Sequence, residues 1–311
     1  MDRNLKGGNK MKFSIITDML GLDSFEESLK TAKELGFEYI DLRGKLDGDT
    51  VDSISLEKAK ELSDLVDKHN LKVTTLSSWA VNPCTFSGPS SYDNFDDKHH
   101  ENMSKELDRL FDLADVFSAP YIRVYSLHKQ DGFYNWTDSE KEKEYKNNAE
   151  VMRKHADHAQ KRDKVLLMEN EPPTLASTCV ELGILLNYVE HPNLKINWDI
   201  TNGWRAGEYP TVETYEHIKG HVVQTHLKGV SRQSNSITEE NPKGRFNNFA
   251  IAGKDDFDHK EIMNALKEHD PNVIWTIDTH YPSFYQQDKI GEVEVVRMTK
   301  EFFENILYIK A

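Results

Sequence analysis

Short apolar segments alternate with longer amphipathic segments along the whole 311-residue chain. The short segments are rich in β-branched and aliphatic residues, which is typical of buried strands. Eight such strands are predicted, at Lys12–Thr17, Tyr39–Leu42, Leu71–Leu76, Tyr121–Tyr125, Val165–Met168, Leu194–Trp198, Val222–Leu227 and Val273–Ile277. This alternation predicts parallel strands that are joined by helical crossovers.

The segments between the strands carry apolar residues at helical spacing. In the first, Phe25, Leu29 and Ala32 fall on one face, and Ser24 and Glu27 have the spacing of a capping box. The apolar faces of the next two helices are marked by Ala59, Leu62, Leu65 and Val66 and by Leu107, Leu110, Phe111 and Ala114. Later helices are predicted at Thr137–Gln160, Leu175–Val189, Thr211–Lys219, Lys260–Glu268 and Val293–Ile306. Eight strands that alternate with helices predict an α/β fold, a single (β/α)8 TIM barrel.

The domain organisation follows from length and from the lack of a break in composition. A chain of this length would also accommodate two domains or a doubly wound open sheet. No Gly/Ser/Pro-rich linker divides the chain, and no G-x-G-x-x-G follows the first predicted strand, so one barrel is favoured. The segment MDRNLKGGNK lacks the apolar stretch of a signal peptide, which predicts a flexible leader at residues 1–10 and a barrel at 11–311.

The amino-acid composition limits the kinds of molecule that this protein is expected to bind. The 39 Lys and Arg residues against 53 Asp and Glu give a formal net charge of -14, which disfavours nucleic acid and an anionic membrane surface as partners. No apolar run approaches the length of a membrane span. Only Cys84 and Cys179 occur, in no paired spacing, so a reducing cytoplasm is the expected location.

Three carboxylates and one imidazole stand at the ends of the last four predicted strands. Glu169, Asp199, His226 and Asp278 each follow an apolar run directly. The carboxyl ends of barrel strands meet at one face, and adjacent strands lie about 4.8 Å apart, so these groups are expected to converge. Each also has an ordinary interpretation, such as a salt bridge, a turn cap or a core histidine, but the combination favours one shared site.

Three carboxylates in a half-buried site require a cation, because like charges repel at close range. A divalent metal held by Glu169, Asp199, His226 and Asp278 would meet this requirement. Oxygen ligands with one imidazole suit Mn2+ first, and Co2+, Mg2+ or Zn2+ as alternatives. His280, two residues after Asp278, is a further candidate for acid–base chemistry.

Other residues after the strand ends are candidates for contact with a substrate. Two cations, Lys228 and Arg232, follow the seventh strand and suit an oxyanion, hydroxyl or phosphate. Trp79 is a candidate for the wall of a pocket, His128 for a proton donor, and Glu171 for a supporting carboxylate. Solvation or loop packing is the ordinary alternative for each of them.

The order of strand-end residues resembles the xylose isomerase-like barrel superfamily of sugar phosphate isomerases and epimerases. Its members include ketose 3-epimerases, hydroxypyruvate isomerase, inosose dehydratases and endonuclease IV. The resemblance runs from MKFSIITD through GFEYIDLRG and AGKDDFDHKEIMNAL to the last strand. It implies metal ligands at Glu169, Asp199 and His226, and it implies that Arg232 holds the substrate.

Two positions depart from the pattern of the superfamily. Asp278 replaces the usual Glu on the last strand, and Asn202 stands where many relatives carry a second histidine. In the epimerases both glutamates bind metal and move protons, so the shortened Asp278 leaves Glu169, His280, Lys228 or His128 as alternative bases. Endonuclease IV is disfavoured by the acidic charge and by the lack of its extra histidines.

The resemblance therefore implies a metal-dependent isomerase or epimerase. The expected substrate is a ketose or a related polyhydroxy carbonyl compound, from which a proton is removed to form an enediolate. Two alternatives stay open: a lyase or dehydratase that expels a β-substituent, and a non-catalytic barrel subunit of a larger complex. Each of these functions is compatible with a homo-oligomer.

Overall fold

Eight parallel strands close into a barrel in the computed structural model, which describes residues 11–79, 97–130, 132–230, 249–255, 258–280 and 290–308. The strands are β1 (Lys12–Ile16), β2 (Tyr39–Leu42), β3 (Lys72–Ser77), β4 (Tyr121–Val124), β5 (Val165–Glu169), β6 (Leu194–Asp199), β7 (Val222–Leu227), β8 (Gly229–Val230), β9 (Phe249–Ala250) and β10 (Ile274–Ile277). The barrel order is β1-β10-β7-β6-β5-β4-β3-β2, with β8 and β9 as a separate pair. The closed order confirms the TIM barrel and excludes the doubly wound sheet.

Helices surround the barrel. They are α1 (Phe25–Glu34), α2 (Leu56–Lys68), α3 (Asp97–Val116), α4 (Asp138–Gln160), α5 (Cys179–Val189), α6 (Ile200–Arg205), α7 (Val212–Tyr215), α8 (His259–His269) and α9 (Glu292–Tyr308). Thr137 and Glu140 form the predicted capping box of α4, with both reciprocal hydrogen bonds. Within the described ranges, no helix is long and apolar enough to cross a lipid bilayer.

Three helices differ from the sequence prediction. The α5 helix begins at Cys179 rather than Leu175, because the Thr178 side chain caps it by accepting from the Glu181 N–H. The α7 helix is a single turn that ends at Tyr215. The α6 helix was not predicted, since it begins directly from β6 without an intervening loop signal; the Asp199 carboxylate caps it.

Polar side chains occupy the middle of the barrel interior. Gln224 on β7 donates to Asp41 Oδ2 on β2 at 2.8 Å and accepts from the Thr75 hydroxyl on β3 at 2.5 Å. The Gln224 amide also lies 3.3 Å from His226 Nε2. These hydrogen bonds cross the barrel and connect its centre to the carboxyl ends of β5, β6 and β7. They give the buried polar groups the partners that such groups require.

Candidate metal centre and active site

Three ligand-type side chains converge at the carboxyl ends of β5, β6 and β7. One ligand atom each from Glu169, Asp199 and His226 lies within 4.8 Å of the others, and all three residues are buried. His226 Nδ1 is 2.9 Å from Glu169 Oε1 and 3.8 Å from Asp199 Oδ2. The predicted convergence of these three residues is therefore present in the structure.

Two amides fix the orientation of the His226 ring. Asn197 Nδ2 lies 2.9 Å from His226 Nε2 and Gln224 Nε2 lies 3.3 Å from the same atom. Both amides lie on the barrel side of the ring, so Nδ1 faces the carboxylates of Glu169 and Asp199.

Asp199 is held by its backbone and by one side-chain oxygen. Asn170 accepts from the Asp199 N–H at 2.8 Å and donates to the Asp199 carbonyl at 2.8 Å. The N–H of Asn202 donates to Asp199 Oδ1 at 2.9 Å. This leaves Asp199 Oδ2 as the oxygen that faces His226 and the interior of the site.

A buried arginine that sequence reasoning missed lies behind Glu169. Arg123 Nη1 is 3.1 Å from Glu169 Oε2, and the arginine side chain is only 2% exposed. Its guanidinium lies over the rings of Tyr125 and Trp79, at 4.9 Å and 5.4 Å from their centroids. A charged residue inside the apolar run YIRVY was the signal that could have identified it.

Asp278, at the end of β10, is surrounded by cations and by an imidazole. Its Oδ2 lies 2.7 Å from Lys228 Nζ and 3.0 Å from His280 Nε2, while its Oδ1 lies 3.4 Å from Arg43 Nη1. It also approaches His226 Nδ1 at 3.5 Å. Arg43 was likewise missed from sequence, although it follows β2 directly.

Lys228 connects Asp278 to the buried triad. Its ammonium lies 2.6 Å from Asp199 Oδ2 and 2.7 Å from Asp278 Oδ2, and its side chain is 2% exposed. The Phe249 ring lies 5.6 Å from the ammonium and stacks on His280 with centroids 5.0 Å apart. Phe249 belongs to β9, so the small β8–β9 sheet covers this side of the site.

Burial and neighbouring charges shift the pKa values of the site. Burial opposes ionisation of Glu169, yet His226 and Arg123 lower its pKa below the usual range. Burial also opposes the charged form of His226, but the Glu169 carboxylate outweighs it and raises the His226 pKa to about 10. Burial lowers the pKa of His280, which favours a neutral imidazole, whereas burial raises the Glu171 pKa to about 7. Such opposed shifts are typical of functional sites.

The remaining candidates differ in how they relate to the triad. Asn202 donates to Glu171 Oε2 at 2.8 Å, so the pair lies beside Asp199. Trp79 is 44% exposed and stacks on Tyr125. His128 is half-buried and pairs with Thr174 through its backbone, with no hydrogen bond or ion pair to the triad in the described part of the chain. Two predictions, Arg232 and the 1–10 leader, lie outside the described residues.

The donor set fits a divalent cation. Glu169 Oε1 and Asp199 Oδ2 both face His226 Nδ1, at 2.9 Å and 3.8 Å, and all three residues are buried. Two carboxylate oxygens and an imidazole nitrogen are ligands that divalent metals prefer.

Known proteins share both the sequence pattern and the fold. A 3-dehydroshikimate dehydratase from Bacillus anthracis is 28% identical over 223 residues, which cover 71% of this chain and 72% of that protein. The structure of a probable 3-DHS dehydratase from the same organism aligns with a TM-score of 0.69 at 20% identity, over 93% of this chain and 99% of that one.

Two further solved structures have the same fold. The IOLI protein with a bound zinc atom aligns with a TM-score of 0.72 at 16% identity, over 97% of this chain and all of that one. A D-psicose 3-epimerase aligns with a TM-score of 0.67 at 14% identity, over 96% and 99%. The sequence profile described as the xylose isomerase-like TIM barrel matches residues 29–302. The chain therefore belongs to the xylose isomerase-like TIM barrel family, in which epimerases and dehydratases are its structural neighbours.

Proposed function

We propose that this protein is a divalent-metal-dependent enzyme that removes the proton next to a carbonyl group of a small polyhydroxylated compound. The observation that carries the proposal is the convergence of Glu169, Asp199 and His226 at the catalytic end of the barrel. A non-catalytic barrel has no need of two carboxylates and an imidazole that converge in one buried site. Mn2+ is the first choice for the metal, with Co2+, Mg2+ or Zn2+ as alternatives.

Glu169, Asp199 and His226 would hold the metal, with Asp278 as the candidate fourth ligand. When bound, the metal would supply Lewis-acid polarisation of a substrate carbonyl, which makes the neighbouring C–H more acidic. Arg123 keeps Glu169 ionised and fixes one of its oxygens, since the two side chains form a buried ion pair at 3.1 Å. A metal binds ionised carboxylates and a neutral imidazole, so binding would displace the proton that the raised pKa of His226 holds.

Acid–base chemistry would fall to Glu169 and to the cluster beside it. Asp278 holds His280 Nε2 at 3.0 Å, so the ring is oriented by a carboxylate, as general bases commonly are. The lowered pKa of His280 keeps its imidazole able to accept a proton near neutral pH. Lys228 is cationic, which suits it to bind an oxyanion or to give a proton to a departing hydroxyl group.

Elimination of water is the outcome that the geometry supports best. Epimerisation requires a second group that returns a proton to the opposite face of the carbon. Asp278 is a poor candidate for this group because Lys228, His280 and Arg43 already engage its two oxygens. The likeness to the 3-dehydroshikimate dehydratase also favours a lyase. In the proposed step the base takes the C–H proton, and the C–H electron pair forms the C=C bond as the β C–O bond breaks. The leaving hydroxide takes up one proton, which the protonated base can return, and departs as water, so no oxidant or reductant is needed.

Isomerisation or epimerisation of a ketose is the second candidate. It is favoured by the presence of two carboxylates, Glu169 and Asp278, at 2.9 Å and 3.5 Å from His226 Nδ1. A two-base exchange would use them if they approach the substrate carbon from opposite faces. In both cases the predicted partner is a small sugar-like molecule, with neither nucleic acid nor membrane involved.

NMR in D2O with metal-loaded protein would separate the two reactions. The substrate panel would contain 3-dehydroshikimate, inososes and common ketoses. Loss of one water with new alkene signals supports the lyase, whereas deuterium incorporation without loss of water supports isomerisation. Asp199→Asn, which removes a ligand oxygen, serves as the matched inactive control. A metal-loaded protein that neither exchanges a C–H proton nor converts any carbonyl compound in the panel would contradict the proposal.

A further inference from the structure

The barrel carries a second cavity at its amino-terminal mouth, opposite the metal centre. Its volume is about 700 Å³. Residues from the first positions of several barrel strands line it, including Lys12 of β1, Lys72 of β3 and Lys195 of β6. TIM barrels usually fill their interior layers with branched apolar side chains, whereas this end of the barrel carries the half-buried Lys195 and the exposed Lys12 and Lys72.

The strand pattern directs all three lysines toward the barrel axis. Side chains two residues apart on a strand share a face. Lys195 lies two residues before Asn197, which contacts the ring of His226 inside the barrel. Lys12 lies two residues before Ser14, whose hydroxyl is 3.4 Å from the buried Thr74 hydroxyl. The inward direction is therefore a property of the fold at these positions.

The same reasoning applies to the third lysine and to a tyrosine beside it. Lys72 pairs in register with Tyr39, and paired residues of neighbouring strands point to the same face. Tyr39 lies two residues before Asp41, which receives a hydrogen bond from Gln224 across the barrel. Tyr39 and Tyr121 are half-buried and also line the cavity, so two phenol groups accompany the lysines.

The three lysines are spread around the mouth. In the closed order β1-β10-β7-β6-β5-β4-β3-β2, the strands of Lys12 and Lys72 are two apart. The strand of Lys195 is three away from each of them. Three ammonium groups therefore surround one opening instead of lining a single side, and a long flexible lysine side chain reaches toward its centre.

These cations lack counterions among the described residues. Neither Lys12, Lys72 nor Lys195 forms an ion pair with any residue in the described ranges; Lys195 is half-buried, and Lys12 and Lys72 are exposed at the opening. Two carboxylates also line the cavity: Asp270 is hydrogen-bonded to Tyr215 and to the Gly220 N–H, and Asp67 is exposed and pairs with none of the three lysines among the described residues. A positive mouth in a chain of net charge -14 is a local feature with its own attraction for anions.

We propose that this mouth is a second binding site, for a small organic polyanion such as a phosphate ester or a polycarboxylate. The lysines would pair with the anionic groups, and the tyrosine hydroxyls would donate further hydrogen bonds. Val222 and Ile274 form part of an apolar wall for the carbon skeleton. Four residues separate Lys195 from Asp199 along β6, so the site lies about 13 Å from the metal centre and is distinct from it.

Isothermal titration calorimetry with pyrophosphate and with citrate tests the site in the full-length protein. Wild type should bind at least one probe, with an affinity that falls as ionic strength rises. The triple variant Lys12→Gln, Lys72→Gln, Lys195→Gln should bind about tenfold more weakly or worse, because three charge-assisted contacts are lost. The corresponding triple Arg variant keeps the charges and should retain binding. The two probes distinguish phosphate from carboxylate ligands.

A control variant distinguishes binding at this mouth from a general effect of the protein's net charge. Lys30→Gln, Lys105→Gln, Lys154→Gln removes three exposed lysines from α1, α3 and α4 and changes the net charge equally. Its binding should equal that of wild type. The proposal would be overturned by any of three results. These are an equal loss of binding in the two triple Gln variants, unchanged binding in the variant of Lys12, Lys72 and Lys195, or no binding of either probe to wild type. If the variant with Lys12, Lys72 and Lys195 all changed to Gln does not fold, the single variant Lys195→Gln replaces it in the test. The proposal requires that Lys195→Gln bind the probe more weakly than wild type.

Discussion

Lys228 Nζ lies 2.7 Å from Asp278 Oδ2, and both side chains are only 2% exposed. The residue that departs from the family pattern is thus fixed by a cation from the neighbouring strand. A glutamate at this position would extend one methylene further into the site. The shorter Asp278 instead lies between Lys228 and His280, which fits a carboxylate that orients other groups better than one that moves protons.

The first prediction contrasts the two carboxylates. Glu169→Gln should abolish C–H exchange with D2O even when metal is in excess, because it removes both a ligand charge and a base. Asp278→Asn should weaken metal binding and slow turnover, by about 10²- to 10⁴-fold, yet retain measurable exchange. The measurement is deuterium incorporation by NMR with each metal-loaded variant. Exchange that survives in Glu169→Gln and vanishes in Asp278→Asn would identify Asp278 as the base.

The second prediction concerns the buried cation. Lys228→Met leaves Asp199 and Asp278 without their nearest positive charge, and removing one partner of a buried pair costs about 3 kcal/mol or more. The melting temperature without metal should fall, and added Mn2+ should restore much of the loss because it replaces the missing charge. Lys219→Met, which breaks an exposed pair with Glu216, should change stability by less than about 0.5 kcal/mol. Equal melting temperatures for wild type and Lys228→Met would contradict this assignment.

The third prediction concerns the aromatic residue at the edge of the site. Trp79 is 44% exposed and stacks on Tyr125 beside Arg123, so it is available to a substrate without belonging to the core. Trp79→Ala should raise KM by about tenfold while the melting temperature changes little. Tyr134→Ala, at a position that is 70% exposed, is the control and should leave KM unchanged. A large loss of stability with an unchanged KM would show that Trp79 is a structural residue.

The fourth prediction is a pH dependence of stability. Burial raises the pKa of Asp41 to about 6 from an ordinary value of 3.8, so the folded state binds this proton more tightly than the unfolded state. The free energy of unfolding therefore falls as pH rises through this interval, by about 3 kcal/mol for this group. Asp41→Asn should remove that loss, so its stability relative to wild type should rise between about pH 4 and pH 7. A relative stability that is independent of pH would contradict the assignment.

Periodicity in the sequence was sufficient to predict the barrel and the triad. Each apolar run became a strand within one or two residues, since a strand buried on both faces is continuously apolar. Glu169, Asp199 and His226 were predictable because the carboxyl ends of parallel strands share one face of the barrel. The family resemblance rested on the same positions, and the profile match over residues 29–302 confirms it.

Other features depended on contacts between distant residues, which no local pattern contains. Arg123 lies behind Glu169 from the neighbouring strand, and Arg43 reaches Asp278 from 235 positions away in the chain. The α6 helix was missed because Asp199 ends a strand and caps a helix at once. The roles of Asp278, His280 and Arg232 stay predictions, because they depend on where a substrate binds.

Metal analysis tests the central claim, that Glu169, Asp199 and His226 hold a divalent cation. Wild type and Asp199→Asn would be purified without chelator, analysed for metals, and then melted with and without added Mn2+, Co2+, Mg2+ or Zn2+. The account predicts one equivalent of metal in wild type, a rise in melting temperature on addition, and the loss of both in Asp199→Asn, because binding to the native state alone stabilises it. A wild-type protein that contains no metal and melts at the same temperature with or without each cation would contradict the account.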